Sequence, residues 1–103
     1  MNRFAIMLTS LLFQAMSVFG QPGLEDYLQV AAGFTENRQH LEAISVCDKL
    51  LDAFPDNPDV YFLRGINRYM QYEYEGAVDD FNKTLSLFPD YPEAVSYTHL
   101  TLP

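Results

Sequence analysis

Hydrophobic residues recur at helical spacing, not strand spacing, from residue 24 onward. Tyr27, Val30, Ala31 and Phe34 fall three and four positions apart, one apolar stripe along a helix predicted over residues 24–36. Asn37, Arg38, Gln39 and His40 break the pattern as a turn, with Asn37 best suited to left-handed geometry. The next stripe, Ile44, Cys47, Leu50, Leu51 and Phe54, predicts a second helix over 41–54, and Pro55 ends it by withholding an amide donor. Asn57, Pro58 and Asp59 mark a strong helix start: a capping side chain, a proline at the first helical position and a carboxylate at the positive end of the dipole. A third helix is predicted over 58–70, followed by a turn at 71–73 without glycine. The fourth carries Ala77, Val78, Phe81, Leu85 and Phe88 and stops at Pro89. Pro92, Glu93, Ala94 and Val95 begin a fifth, which β-branched Thr98 and Thr101 are expected to break.

The pattern repeats itself after 34 positions. Tyr27, Ala43, Lys49, Leu51, Phe54, Pro55, Asp56 and Pro58 return as Tyr61, Ala77, Lys83, Leu85, Phe88, Pro89, Asp90 and Pro92. A fixed period of this length implies stacked helix-turn-helix units with function on a surface instead of in a deep pocket. The fold class expected is all-α: antiparallel helix-turn-helix repeats stacked as a short α-solenoid, two full repeats plus the start of a third. Helices approach to about 8 to 10 Å only where side chains are small, so Ala31 is expected to face Ala43, and Gly65 to face Ala77. Tyr27, Phe34, Tyr61, Tyr74, Phe81 and Phe88 should fill the volume around those contacts.

The order aromatic, small residue, alanine, aromatic, proline is carried by Tyr61, Gly65, Ala77, Phe81 and Pro89. Tyr27, Ala31, Ala43, Cys47 and Pro55 repeat it with Cys47 in place of the second aromatic. Over residues 24–95 the chain resembles a tetratricopeptide repeat protein, with repeats at about 24–57 and 58–91 and a third beginning at 92. Arg68, where an aromatic is usual, and Tyr72, in place of the inter-helix glycine, depart from that pattern. The resemblance implies that the first helix of each unit lines a concave side that grips an extended peptide or a partner helix. Glu25, Thr35, Glu36 and Asp59 would then face the groove. Its apolar part, the candidate protein-binding residues, would be Leu28, Ala32, Phe62, Ile66, Tyr69 and Met70, unless a further repeat or the amino-terminal segment covers them. Relatives that clamp a chaperone's carboxyl terminus use Lys and Asn here; Leu28, Ala32 and Leu63 stand in those places, which disfavours such a clamp.

Charge narrows the partner. Six Lys and Arg stand against fourteen Asp and Glu, a formal net charge of -8 with a pI near 4.4. Such a surface repels phosphate backbones and anionic headgroups, so the expected partners are neutral, apolar or basic proteins or peptides, with no nucleic acid. A membrane enters only if the amino-terminal segment is uncleaved. There Arg3 precedes an apolar run over residues 4–19, and Ser17, Val18, Phe19 and Gly20 offer a signal-peptidase site. Thr9, Ser10 and Gln14 interrupt the run, which falls short of the roughly 20 apolar residues that span a bilayer. Residues 1–20 are therefore expected to be a cleaved signal peptide, placing a domain of residues 21–95 in the periplasm or cell envelope, or secreting it. Residues 96–103 resemble translated sequencing-adapter read-through and are expected to be a non-native tail.

Catalysis is not expected, nor any cofactor or metal. Cys47, the single cysteine, cannot form an intramolecular disulfide and reads as an inert core thiol, although His40 lies seven positions before it. Asp56, Asn57 and Asp59 lack the loop glycine and closing glutamate of a calcium loop, and capping explains them better. Glu73, Glu75, Asp79 and Asp80 read as a solvated face. No glycine-rich phosphate loop or zinc-type ligand cluster is present. The function expected is a protein-protein interaction module or scaffold of an exported protein. The alternative is an amino-terminal repeat segment of a longer protein whose catalytic or membrane part lies elsewhere.

Overall fold

The computed structural model describes residues 23–101, so the signal peptide expected over residues 1–20 lies outside it. Five helices follow one another: α1 (Leu24–Glu36), α2 (His40–Ala53), α3 (Pro58–Met70), α4 (Tyr74–Leu87) and α5 (Pro92–Thr101). Among the described residues there is no strand. Consecutive helices pack against each other, and α1 also touches α3, the arrangement of a short helical-repeat solenoid.

Local chemistry explains the boundaries. The Asn57 side chain accepts the Val60 amide at 3.2 Å, Pro58 opens α3, and Asp59 sits in its first turn. Phe54 and Phe88 leave helical geometry immediately before Pro55 and Pro89. Each hairpin turn closes with the same long backbone bond, Gln39 amide to Phe34 carbonyl at 2.7 Å and Glu73 amide to Arg68 carbonyl at 2.8 Å. That closure puts the left-handed residue at Arg38 (φ 61°) and, one period later, at Tyr72 (φ 64°), while Asn37 keeps φ -84°. The expectation for Asn37 is thus corrected by one position: the bonding pattern, not the best-suited side chain, chooses the strained site. The fifth helix does not break as expected. It continues to Thr101, because buried Ala94 anchors it against α4 and a β-branched residue costs only a few tenths of a kcal/mol in a helix.

Packing inside the hairpins follows a volume trade. Ala31 and Cys47 are fully buried in one cluster with Leu50 and Val60. One period later, Gly65 faces the Phe81 ring: a Cβ added at Gly65 would stand 2.6 Å from Phe81 Cε1 and 3.2 Å from Asp80 Cβ. The larger aromatic thus requires the smaller residue opposite. The nearest neighbours of an added Cβ at Gly65 are therefore Phe81 and Asp80. Ala77 is itself fully buried, as are Ala43 and Phe81.

Other aromatics do not fill the interior as expected. Tyr27, Tyr74 and Phe88 are exposed, as is Phe54, while Phe34 and Tyr61 are half-buried. A repeat aromatic is covered chiefly by the neighbouring unit, and no described helix lies over Tyr27 and Phe54.

Asp80 departs furthest from its reading as a solvated residue. It is 2% exposed and accepts two bonds from Arg64, Nε to Oδ2 at 3.0 Å and Nη2 to Oδ1 at 2.8 Å, plus Arg68 Nη1 at 3.1 Å. Arg64 also reaches Asp48 on α2 at 2.9 Å, so one guanidinium ties α2, α3 and α4. Its bonds to Asp80 hold it charged more firmly than an ordinary arginine, against the opposing effect of burial. Gly76 leaves room for Arg68, whose Cδ would be 3.1 Å from a Cβ there.

Two outcomes follow from the core. Gly65→Ala should destabilise the fold by about 1 to 3 kcal/mol through overpacking, and Phe81→Cys added to it should lose less than the two single changes summed. Strict additivity in chemical denaturation would show that the two residues do not share volume. Burial pushes the Cys47 thiol from 9.0 up to about 12. The thiol's contribution is then complete below pH 9 and falls as pH rises towards 12, by up to about 1.4 kcal/mol per pH unit. The stability advantage of the unchanged chain over Cys47→Ala should shrink between pH 8 and pH 11; a constant difference across that range would contradict the burial.

Candidate protein-binding site

The residues expected on the concave face come from α1 and α3, and the structure separates them. Leu28 is half-buried and packs against the Ala31, Cys47, Leu50 and Val60 cluster. Ala32 is half-buried as well. Phe62 is half-buried, its ring lying 5.8 Å from Phe81 and 5.0 Å from Tyr91, measured between centroids. Tyr91 is positioned by its hydroxyl, which donates to Asp59 Oδ1 at 2.6 Å, so the link before α5 folds over the first half of α3. Burial, followed by that bond, raises the Tyr91 hydroxyl above the ordinary tyrosine value. Tyr69 is half-buried and meets Tyr74 edge-on at 5.3 Å.

Ile66 and Met70 remain together at the far end of α3. With Thr35, Glu36, Arg38 and His40 they line a cleft of about 420 Å³ where the first hairpin's turn meets α3. Met70 is 54% exposed and Ile66 half-buried, which gives the cleft an apolar wall. Glu36 and Arg38 contribute opposite charges.

Beneath the cleft runs a buried polar network. Asn67, fully buried, donates through Nδ2 to Thr35 Oγ1 at 2.9 Å and to the Leu63 carbonyl at 2.8 Å. Its Oδ1 lies 2.8 Å from His40 Nδ1, and an amide oxygen only accepts, so the imidazole proton belongs on Nδ1. The Thr35 hydroxyl in turn donates a hydrogen bond to the Ala31 carbonyl at 2.9 Å. Helices α1, α2 and α3 are thereby joined through one amide. His40 is the first residue of α2 and faces Asn67, correcting its reading as a turn residue. Asn67 escapes the sequence reading, although a polar residue one heptad after Val60 on an inward stripe is a signal.

Other chemistry is limited. Cys47 is fully buried, and as a protonated thiol it is a poor nucleophile at neutral pH. Among the described residues no group of three or more His, Cys, Asp or Glu could hold a metal ion, and no described helix is long and apolar enough to cross a membrane.

No family model matches the chain. Over 88 residues it is 31% identical to a DnaJ homolog subfamily C member 7 homolog of Dictyostelium discoideum. That stretch takes in 84% of this chain and 16% of the relative, so the chain spans about a sixth of that protein's length. The relative comes from a family that contains tetratricopeptide repeats. Its likeness and the helical pairing both fit a tetratricopeptide-like chain.

Asn67→Ala should leave the Thr35 hydroxyl and the His40 ring without their shared partner and destabilise the fold by about 1 to 3 kcal/mol. A denaturation midpoint equal to that of the unchanged chain would remove the network from the account of the cleft.

Proposed function

Taking the chain as a tetratricopeptide-like helical repeat, we propose that it is a protein-protein interaction module, a scaffold segment of an exported, cell-envelope protein. Its partner is a peptide or helix received along α1 and α3. The observation that supports this reading most is the Ile66 and Met70 wall, an apolar surface beside a cleft whose floor is locked by Asn67. Large apolar side chains exposed next to a rigid polar floor suit a partner with one or two apolar anchors. The net charge of -8 favours neutral or basic sequences around those anchors. Leu28, Ala32, Phe62 and Tyr69 shape the face from below and contribute as support more than as anchors. Placement in the envelope rests on residues 1–20 and their export-signal composition.

Panning a displayed library of extended peptides against the chain tests the reading. Enrichment of apolar-anchored, neutral or basic peptides is expected, with capture reduced at least about tenfold, roughly 1.4 kcal/mol, by Ile66→Ser combined with Met70→Ser. Peptides that bind the double variant equally well, while its helicity is intact, would move the site elsewhere.

A further inference from the structure

The buried network under the concave cleft also decides which atom of His40 is left for a partner. The Leu63 carbonyl can only accept, so the Asn67 amide must turn its Nδ2 that way, at 2.8 Å. Thr35 sets the same direction: its hydroxyl proton is engaged with the Ala31 carbonyl, which leaves its oxygen to accept from Nδ2 at 2.9 Å. Asn67 Oδ1 therefore faces His40 and accepts from Nδ1 at 2.8 Å, and in the neutral ring Nε2 is then without a proton. Nε2 makes no hydrogen bond among the described residues, and none of their buried side-chain nitrogens lacks a partner, so its lone pair lies at the accessible surface.

His40 lines the same cleft as Ile66 and Met70. On its rim, exposed Glu36 and Arg38 carry opposite charges, so the cleft favours neither a cation nor an anion. A group that fits has an apolar body for the Ile66 and Met70 wall and one polar atom that donates and does not accept. The indole of tryptophan has that make-up: a broad apolar ring system, a single N–H, and an edge that meets a thioether such as Met70 favourably. A lysine ammonium also donates, but it is strongly hydrated and would stand near the like charge of Arg38. A volume of about 420 Å³ is enough to take one large side chain.

We propose that this cleft selects a tryptophan side chain of an extended peptide, whose indole N–H donates to His40 Nε2 while its rings lie against Ile66 and Met70. The proposal rests on the reading of the cleft as a peptide site and adds to it the donor that the peptide must carry. Asn67 enters through the ring, by holding the imidazole proton on Nδ1.

The chain contains no tryptophan, so indole emission from a peptide reports binding directly. Two capped peptides of glycine and serine, one with a central tryptophan and one with a central 1-methyltryptophan, are titrated with the chain in mildly alkaline buffer. The tryptophan peptide should bind at least about fivefold more tightly than its methylated twin, whose ring nitrogen has no proton to give. That preference should vanish in His40→Ala, a comparison that subtracts any effect of the methyl group's bulk. In the unchanged chain without peptide, two-bond proton–nitrogen spectra should place the His40 proton on Nδ1. Equal affinity for the two peptides, a preference that survives His40→Ala, or a proton on Nε2 would each overturn the proposal. If neither indole peptide binds while panned apolar peptides do, the proposal fails and the peptide site stands; if no peptide binds, both fail.

Discussion

Each hairpin depends on a contact so close that its two helices must share a fixed volume between them. Ala31 with Cys47 is one solution and Gly65 with Phe81 another, and the second tolerates no Cβ on α3. With the helices held this near, the connecting turn must reverse in three residues, which forces left-handed geometry onto Arg38 and Tyr72. Such geometry disfavours a residue with a Cβ by about 1 kcal/mol, so the packing sustains a turn that local preference alone would reject. The same closeness brings α3 against α2, where Asn67 can meet both Thr35 and His40.

What is legible in the sequence is what local chemistry decides. Asn57 and Pro58 announce α3, and Pro55 and Pro89 stop the helices before them, because a cap and a missing amide act within one turn. The 34-residue period shows the stacking for the same reason, being a repetition of local signals. What is not legible depends on neighbours in space. Tyr27 and Phe88 sit on inward stripes, yet a stripe tells which side faces the next unit, not how much of that unit lies over it. Asp80 looks solvated within an acidic stretch and is buried only because Arg64 and Arg68 arrive from another helix. Arg68, read as a departure from the tetratricopeptide pattern, was the available clue. Phe62 reads as an open groove residue until Tyr91, from the link after α4, is placed beside it.

Two polar clusters set how the second hairpin sits on the first. Apolar contacts alone permit sliding, since dispersion is non-directional, whereas hydrogen bonds fix distance and angle. Asn67 joins three helices at one end of the interface, and Arg64 joins three at the other through Asp48 and Asp80. A buried polar group left without a partner is unfavourable, so each cluster penalises a shifted arrangement more than it strengthens the correct one. Thr35 and His40, which line the cleft beside Ile66, are both bonded to Asn67, so this cluster helps to fix the cleft's walls.

The pairing of consecutive helices also governs how the chain reaches this state. Nearly every packing partner lies within one period along the sequence, so no long loop must close before a contact forms, and the entropic barrier to folding is low. Hairpins of this kind can assemble in the order in which a ribosome releases them, each new helix finding its partner already present. An array built this way can lengthen by duplication of its genetic unit without renegotiating its interior, because each added hairpin has only its predecessor to satisfy.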